Sequence, residues 1–96
     1  FPMGLSRCSA VQYVEVNSAW DKLLGIPRSE ALGRTSIDMG VLTPADRENL
    51  IRAVALTSQL NGYEVIIHPR NGPPRTVLQS MRMTDFDGEP CWMFSV

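Results

Sequence analysis

The sequence predicts an α+β domain with one five-stranded antiparallel sheet and helices packed on one face. Three observations predict this class: two short β-type segments near the N-terminus, a helical middle with clear caps, and three alternating segments at the C-terminus. With 96 residues, the chain is long enough for a single core, so residues 1–96 are predicted to be one domain.

The first two strands are predicted at Met3–Arg7 and Tyr13–Val16, joined by a turn through Ser9 and Ala10. The second strand is rich in β-branched and aromatic residues, which favour extended backbone.

Local signals then predict two short helices. Asn17 can cap the first helix, and Gly25 ends it in the usual C-terminal manner. Pro27 enforces a break. Ser29 can cap a one-turn helix that ends at Gly33.

A longer helix follows the connector Arg34–Leu42. Thr43 is a threonine N-cap, Pro44 occupies the first helical position, and the helix is predicted to extend to about Gln59. Leu60–Gly62 is a turn signal. One broad apolar face of this helix is predicted to comprise Leu50, Ile51, Val54, Ala55 and Leu56.

The last third is predicted to be a meander. Tyr63–Arg70 alternates, and Asn71–Gly72 is a strong signal for a tight hairpin. Arg75–Thr84 is the next strand, and Asp87–Gly88 marks a second turn. Cys91–Val96 is mostly apolar on both faces, as expected for a central strand.

Charge and composition exclude several classes of partner. The formal net charge is −1, and basic and acidic residues are interspersed, so we expect no direct nucleic-acid contact. No apolar run is long enough to span a bilayer, so we expect no membrane association. The chain opens on Phe1 without an initiator methionine or a cleavage pattern, and we interpret it as a fragment of a longer protein.

Cys8 and Cys91 lack the spacing of a metal site, and no metal ligands are predicted. Two cysteines allow one disulfide between them. Two reduced thiols are favoured, because a core of this size needs no covalent staple.

The order of these signals resembles a PAS domain. The resemblance rests on Tyr13–Arg34, on Thr43–Arg47 at the start of the long helix, on His68–Gly72, and on the turn Asp87–Pro90. It implies the strand order 2-1-5-4-3. It also implies that the chain stops at Val96, just before the Asp-Ile-Thr-type motif that commonly follows a PAS domain.

No catalytic residues are predicted, so we expect no enzyme activity in this chain. The single histidine, His68, is placed mid-strand on the outer sheet face, and neither a phosphate-binding glycine loop nor a serine nucleophile elbow occurs. By the resemblance, haem and cysteinyl-flavin are disfavoured, because the long helix lacks histidine and the helical middle lacks cysteine. A flavin without an adduct, a small organic ligand and an unliganded core remain open.

Two candidate surfaces follow from strand alternation. Gln79 is assigned to the helix-covered face, where its amide either bonds nearby backbone or orients a ligand. Ile66, Leu78 and Arg82 are assigned to the uncovered face as interface candidates. The ligand-pocket candidates are Trp20, Leu24, Ile37, Leu50, Val54, Ile67, Gln79, Met81 and Met93.

The resemblance implies a sensory module in the cytoplasmic part of a bacterial signalling protein, such as a sensor kinase or transcriptional regulator. The module would bind a small molecule and relay the signal to an output domain in the same chain, and it would form a homodimer through the sheet face or flanking helices. The alternative is a ligand-free module that serves dimerisation and protein–protein interaction.

Overall fold

The computed structural model describes residues 1–8 and 12–96, and the predicted turn at Ser9 and Ala10 lies outside them. Within the described residues, five strands form one antiparallel sheet in the order β2-β1-β5-β4-β3, with helices on one face. The predicted fold class and strand order are therefore confirmed. The elements are β1 Met3–Arg7, β2 Tyr13–Val16, α1 Ser18–Leu24, α2 Arg28–Ala31, α3 Pro44–Thr57, β3 Gln59–Ile67, β4 Arg75–Phe86 and β5 Glu89–Ser95.

Helix α1 begins and ends at the predicted residues. The Asn17 side chain accepts a hydrogen bond from the Trp20 backbone N–H at 3.0 Å. Gly25 adopts the left-handed conformation with φ 69° and donates its N–H to the Asp21 carbonyl. Both caps satisfy backbone groups that a helix end leaves unpaired.

The predicted cap of α2 is wrong, because Ser29 lies inside the helix and Pro27 is the N-cap. The Pro27 carbonyl accepts from the N–H groups of Glu30 and Ala31, and the Asp21 carboxylate accepts from the Arg28 N–H at 3.2 Å. These acceptors satisfy the first turn, so the helix begins without a serine cap.

Helix α3 has the predicted Thr43 cap, whose hydroxyl accepts from the Asp46 N–H at 3.2 Å. Its buried face is narrower than predicted: Leu50 and Val54 are buried, whereas Leu56 is 84% exposed. Ala55 is also exposed, and Ile51 is partly exposed. A helix lying on one sheet buries only the stripe that faces the sheet.

The turn predicted at Leu60–Gly62 is wrong, because these residues belong to β3. Ser58 is the C-cap that ends α3 directly before β3. It adopts φ 62° and donates its N–H to the Val54 carbonyl. The left-handed Gly62 instead accompanies a register shift between Leu60 and Tyr63. Glycine accommodates either feature, so its presence does not distinguish a turn from a bulge.

The tight hairpin predicted at Asn71–Gly72 is also wrong. Strand β3 ends at Ile67, and the loop 68–74 leads to β4. The loop is tied to the helical side, because the His68 N–H bonds the Val41 carbonyl at 2.9 Å and the Arg70 N–H bonds the Leu24 carbonyl at 2.8 Å. The second turn is as predicted: Asp87 and Gly88 both have positive φ and connect β4 to β5.

Burial confirms the face assignment of the central strands. Gln79 and Met81 are buried beneath the helices, whereas Leu78 is 62% exposed and Ile66 is 44% exposed on the other face. Met83 continues the inner register but is exposed near the end of β4. Among the described residues, no helix combines the length and the apolar character needed to cross a bilayer.

Candidate functional site

A partly open cavity of about 60 Å³ lies between the sheet and the helices. That volume has room for a few water molecules or a small ligand. Two larger grooves, of about 360 and 330 Å³, lie at the surface. The internal cavity is the stronger candidate because it combines apolar walls with converging polar groups. Its lining residues are Ser6, Tyr13, Trp20, Leu23, Leu24, Ser36, Val41, Leu42, Arg47, Leu50, Ile51, Ile67, Gln79, Met81, Trp92, Phe94 and Val96.

Aromatic rings form one wall. The Tyr13 and Trp20 ring centroids lie 5.3 Å apart at 66°, an edge-to-face arrangement. The Tyr13 and Phe94 centroids lie 5.6 Å apart, and Trp92 also lines the cavity. Such contacts favour defined ring orientations.

The Tyr13 phenol provides a neutral polar group in that wall. Burial raises its pKa to about 12, against smaller opposing effects of a hydrogen bond with Ser36 and of the nearby Arg47 charge. The phenol therefore stays protonated at physiological pH and can donate a hydrogen bond.

Arg47 brings a positive charge to the cavity. It lies in the first turns of α3, and its Nε is buried without a hydrogen-bond partner among the described residues. No acidic side chain of the described residues lines the cavity. Other arginines do pair with carboxylates: Arg7–Glu89, Arg28–Glu15, Arg34–Glu30, Arg52–Glu48 and Arg70–Glu30.

The Gln79 side chain is buried on β4 and lines the cavity. It lies opposite Tyr63 of β3 in the sheet register. An amide has two donors and an acceptor, so Gln79 can contribute polar contacts to a small occupant.

The structure places six of the nine pocket candidates around the cavity: Trp20, Leu24, Leu50, Ile67, Gln79 and Met81. It places the other three elsewhere. Ile37 is half-buried in the turn that joins α2 to α3. Val54 is fully buried one helical turn beyond Leu50, within the core but outside the cavity wall.

Met93 lies on the opposite face from the cavity. It alternates with Trp92 and Phe94, which line the cavity, and its sulfur accepts from an Arg82 nitrogen at 3.6 Å. Met93 instead lines a surface groove together with Leu5. A one-residue difference in a strand reverses the face of a side chain.

The sequence prediction missed Tyr13, Ser36, Arg47 and Trp92 as lining residues. A signal existed for Arg47, which is three residues before Leu50 and therefore shares its helix face. Trp92 is two residues from Phe94 and shares its strand face. Ser36 lies in an irregular segment, where no periodicity identifies a buried residue.

His68 and the cysteines lie outside the cavity wall. His68 was predicted mid-strand on the outer face, but β3 ends before it. The Cys8 thiol donates to the Met83 sulfur at 3.4 Å, and both cysteines are free thiols. Burial is the main effect that raises the pKa of each thiol, so both stay protonated near neutral pH. Among the described residues, no group of three or more His, Cys, Asp or Glu is placed to hold a metal ion.

The interface candidates Ile66, Leu78 and Arg82 are all exposed on the uncovered sheet face. Leu78 lies opposite Glu64 in the register, and Arg82 lies opposite Met93. This face therefore mixes apolar and charged side chains, and its role as an interface remains a prediction.

Solved PAS and LOV domains share this fold. A LOV domain from a blue-light activated histidine kinase of Erythrobacter litoralis superposes with a TM-score of 0.75 at 17% identity, covering 100% of this chain and 94% of that chain. A PAS domain from Colwellia psychrerythraea gives 0.74 at 14% identity, covering 98% and 83%. The PAS domain of the fruit-fly ELK potassium channel gives 0.69 at 13%, covering 98% and 84%. No family model and no curated protein matches the chain. The chain has the PAS fold.

Proposed function

We propose that this PAS-fold chain is a sensory input module that binds a small molecule in its internal cavity. The cavity between sheet and helices is the single observation that carries the proposal. We place the module in the cytoplasmic part of a bacterial signalling protein. Its output domain would be a histidine kinase, a diguanylate cyclase or a helix-turn-helix transcriptional regulator in the same chain, and any catalytic activity would belong to that output domain.

The character of the cavity supports ligand binding. Small-molecule sites combine mostly apolar walls with a few polar groups that orient the ligand. Here the walls are aromatic and aliphatic, and the polar groups are Tyr13, Ser36, Arg47 and Gln79. A ligand changes the conformation only if it binds one state more tightly, and filling a partly empty core provides such a difference.

The size and composition of the site favour a small organic ligand over a large cofactor. Helix α3 contains no histidine to ligate haem, and helices α1, α2 and α3 contain no cysteine to form a flavin adduct. A cavity of about 60 Å³ would also have to expand greatly to admit a flavin. We therefore expect purified protein to lack haem and flavin absorption bands, and either band would contradict this reasoning.

Native mass spectrometry tests the proposal directly. Protein purified under mild conditions should carry a small-molecule mass that denaturing spectra lack. The chain has two tryptophans, Trp20 and Trp92, and both line the cavity, so intrinsic fluorescence reports its occupancy. Removing the bound mass by partial unfolding and refolding should shift the emission, and adding back the extracted molecule should restore it. Ligand binding would be refuted if the native spectrum showed no adduct and a low-molecular-weight cell extract caused no change in emission.

A second candidate is a ligand-free module that sets dimer geometry. The exposed apolar residues Ile66 and Leu78 on the uncovered face favour it. A stable interface buries about 800 Å² per partner, so a homodimer would use most of this face or flanking helices. A dimer in sedimentation together with an empty native mass spectrum would favour this candidate over the sensor.

A further inference from the structure

We propose that the cavity selects a short carboxylate anion and that the Arg47 guanidinium is its counter-ion. This inference rests on the proposed function, because it names the ligand class of the same cavity. The occupant would be a monocarboxylate with a short hydrocarbon body, its carboxylate against Arg47 and its body against the aromatic wall.

The first observation is the state of Arg47. Its Nε is fully buried without a hydrogen-bond partner in the described part of the chain. A guanidinium has five N–H donors and no acceptor, so only an acceptor group can satisfy it. A buried polar group without a partner is unfavourable. Arg47 lines the cavity, so a carboxylate bound there would supply a compensating charge and acceptor oxygens to the guanidinium.

The second observation is the charge of the wall. Arg47 is the one charged side chain among the described lining residues. Tyr13 is neutral because burial raises its pKa to about 12, and it cannot serve as the anion. Serine and glutamine supply neutral hydrogen-bond donors. The cavity therefore offers one positive charge and several donors, a combination that favours an anion over a cation or a neutral base.

The third observation is the asymmetry of the cavity. Phe94, Trp20, Leu24 and Ile67 present apolar surface, which cannot solvate a charge. An inorganic phosphate would face this apolar surface with at least one charged oxygen. A short-chain carboxylate places all its charge at one end, and a volume of about 60 Å³ limits the other end to a few carbons.

The experiment compares propionate and butyrate with the isosteric neutral amides propionamide and butyramide, and with inorganic phosphate. Ligand-free protein is titrated at constant ionic strength, with tryptophan emission and the melting temperature Tm as readouts. We expect the carboxylates to raise Tm and change the emission. They should bind at least about 10-fold more tightly than their amides, because a charge-assisted hydrogen bond is roughly twice as strong as a neutral one and the difference corresponds to about that factor in affinity.

Arg47→Gln and Arg52→Gln are the matched variants. Both remove one arginine from α3, but Arg52 is exposed and paired with Glu48 at the surface. Arg47→Gln should weaken carboxylate binding about 10- to 100-fold while leaving amide binding unchanged. Arg52→Gln should bind as the wild type does. Without ligand, Arg47→Gln should melt at or above the wild-type temperature, because it removes a positive charge and a buried Nε without a hydrogen-bond partner.

The outcomes separate this inference from the proposed function. Equal binding of amides and carboxylates overturns the anion assignment, and tighter binding of phosphate overturns the carboxylate assignment; either result leaves the sensor proposal standing. If none of these probes binds, the carboxylate inference fails, and the native mass spectrum alone decides the proposed function. If Arg47→Gln melts far below wild type and wild-type affinity does not depend on ligand charge, Arg47 is structural and the inference is wrong.

Discussion

Val65 and Ile66 are consecutive residues of β3 with side chains on opposite faces of the sheet. Val65 is 5% exposed beneath the helices, and Ile66 is 44% exposed on the uncovered face. The same substitution to aspartate at each position therefore tests the face assignment without changing the strand or the charge introduced. Val65 lies outside the cavity wall, so Arg47 is not an adjacent partner for the new carboxylate.

The two variants should lose unfolding free energies that differ several-fold. Val65→Asp loses about 1.5–3 kcal/mol of apolar burial and places an unpaired carboxylate in the core, which adds several kcal/mol. A chain of this length has an unfolding free energy of about 5–14 kcal/mol, so this variant loses most of its stability. Ile66→Asp loses only part of a side-chain burial and should cost about 1 kcal/mol.

Urea denaturation followed by circular dichroism measures both variants. Burial raises the pKa of the carboxyl introduced by Val65→Asp, so its neutral form is favoured in the folded state. Part of the lost stability should therefore return as pH falls toward 4, and Ile66→Asp should show no such recovery. Sedimentation should show that Ile66→Asp abolishes weak self-association. A tolerated Val65→Asp together with an unfolded Ile66→Asp would show that the faces are assigned in reverse.

Three further outcomes follow from the structure. A Cβ added at Gly4 would lie 2.7 Å from the Glu15 carbonyl oxygen, so Gly4→Ala should cost about 1–3 kcal/mol in urea denaturation; an unchanged midpoint would contradict this close approach. The free energy of unfolding of the wild type should fall by up to about 3 kcal/mol between pH 10 and 12, because Tyr13 deprotonates at lower pH in the unfolded chain than in the folded one. Tyr13→Phe should lack this loss. A loss of equal size in both proteins would assign it to other groups. Under denaturing, non-reducing conditions a thiol reagent should modify both Cys8 and Cys91, and modification of neither would indicate a disulfide.

The parts of the fold that the sequence predicted correctly depend on local hydrogen bonding. Asn17 and Thr43 bond backbone groups three residues away, and Gly25 ends its own helix. The wrong boundaries depend on distant partners instead. The start of α2 uses the carboxylate of Asp21, which no pattern around Ser29 reveals. The loop after Ile67 is fixed by carbonyls of remote segments.

Residues of the cavity wall could be predicted from the sequence only within segments that have the periodicity of a strand or a helix. Strand alternation identified Gln79 and Met81, whereas the last strand was predicted to be apolar on both faces, so its pattern could not show that Met93 lies away from the cavity. Arg47 shares a helix face with Leu50, but it was not among the predicted pocket residues, which on this helix were the apolar Leu50 and Val54. Ser36 lies in a turn without a period, and only the folded chain brings it to Tyr13.

The two bonds that tie the loop 68–74 to the helical side have a consequence for how the cavity enlarges. The carbonyls that accept from His68 and Arg70 belong to Val41 and Leu24, and both of these residues line the cavity. A widening that moves Val41 and Leu24 away from the loop 68–74 would break these bonds. The amide protons of His68 and Arg70 would then exchange with solvent, so their exchange rates measure how often the core opens, and an occupant that keeps it closed should slow both together.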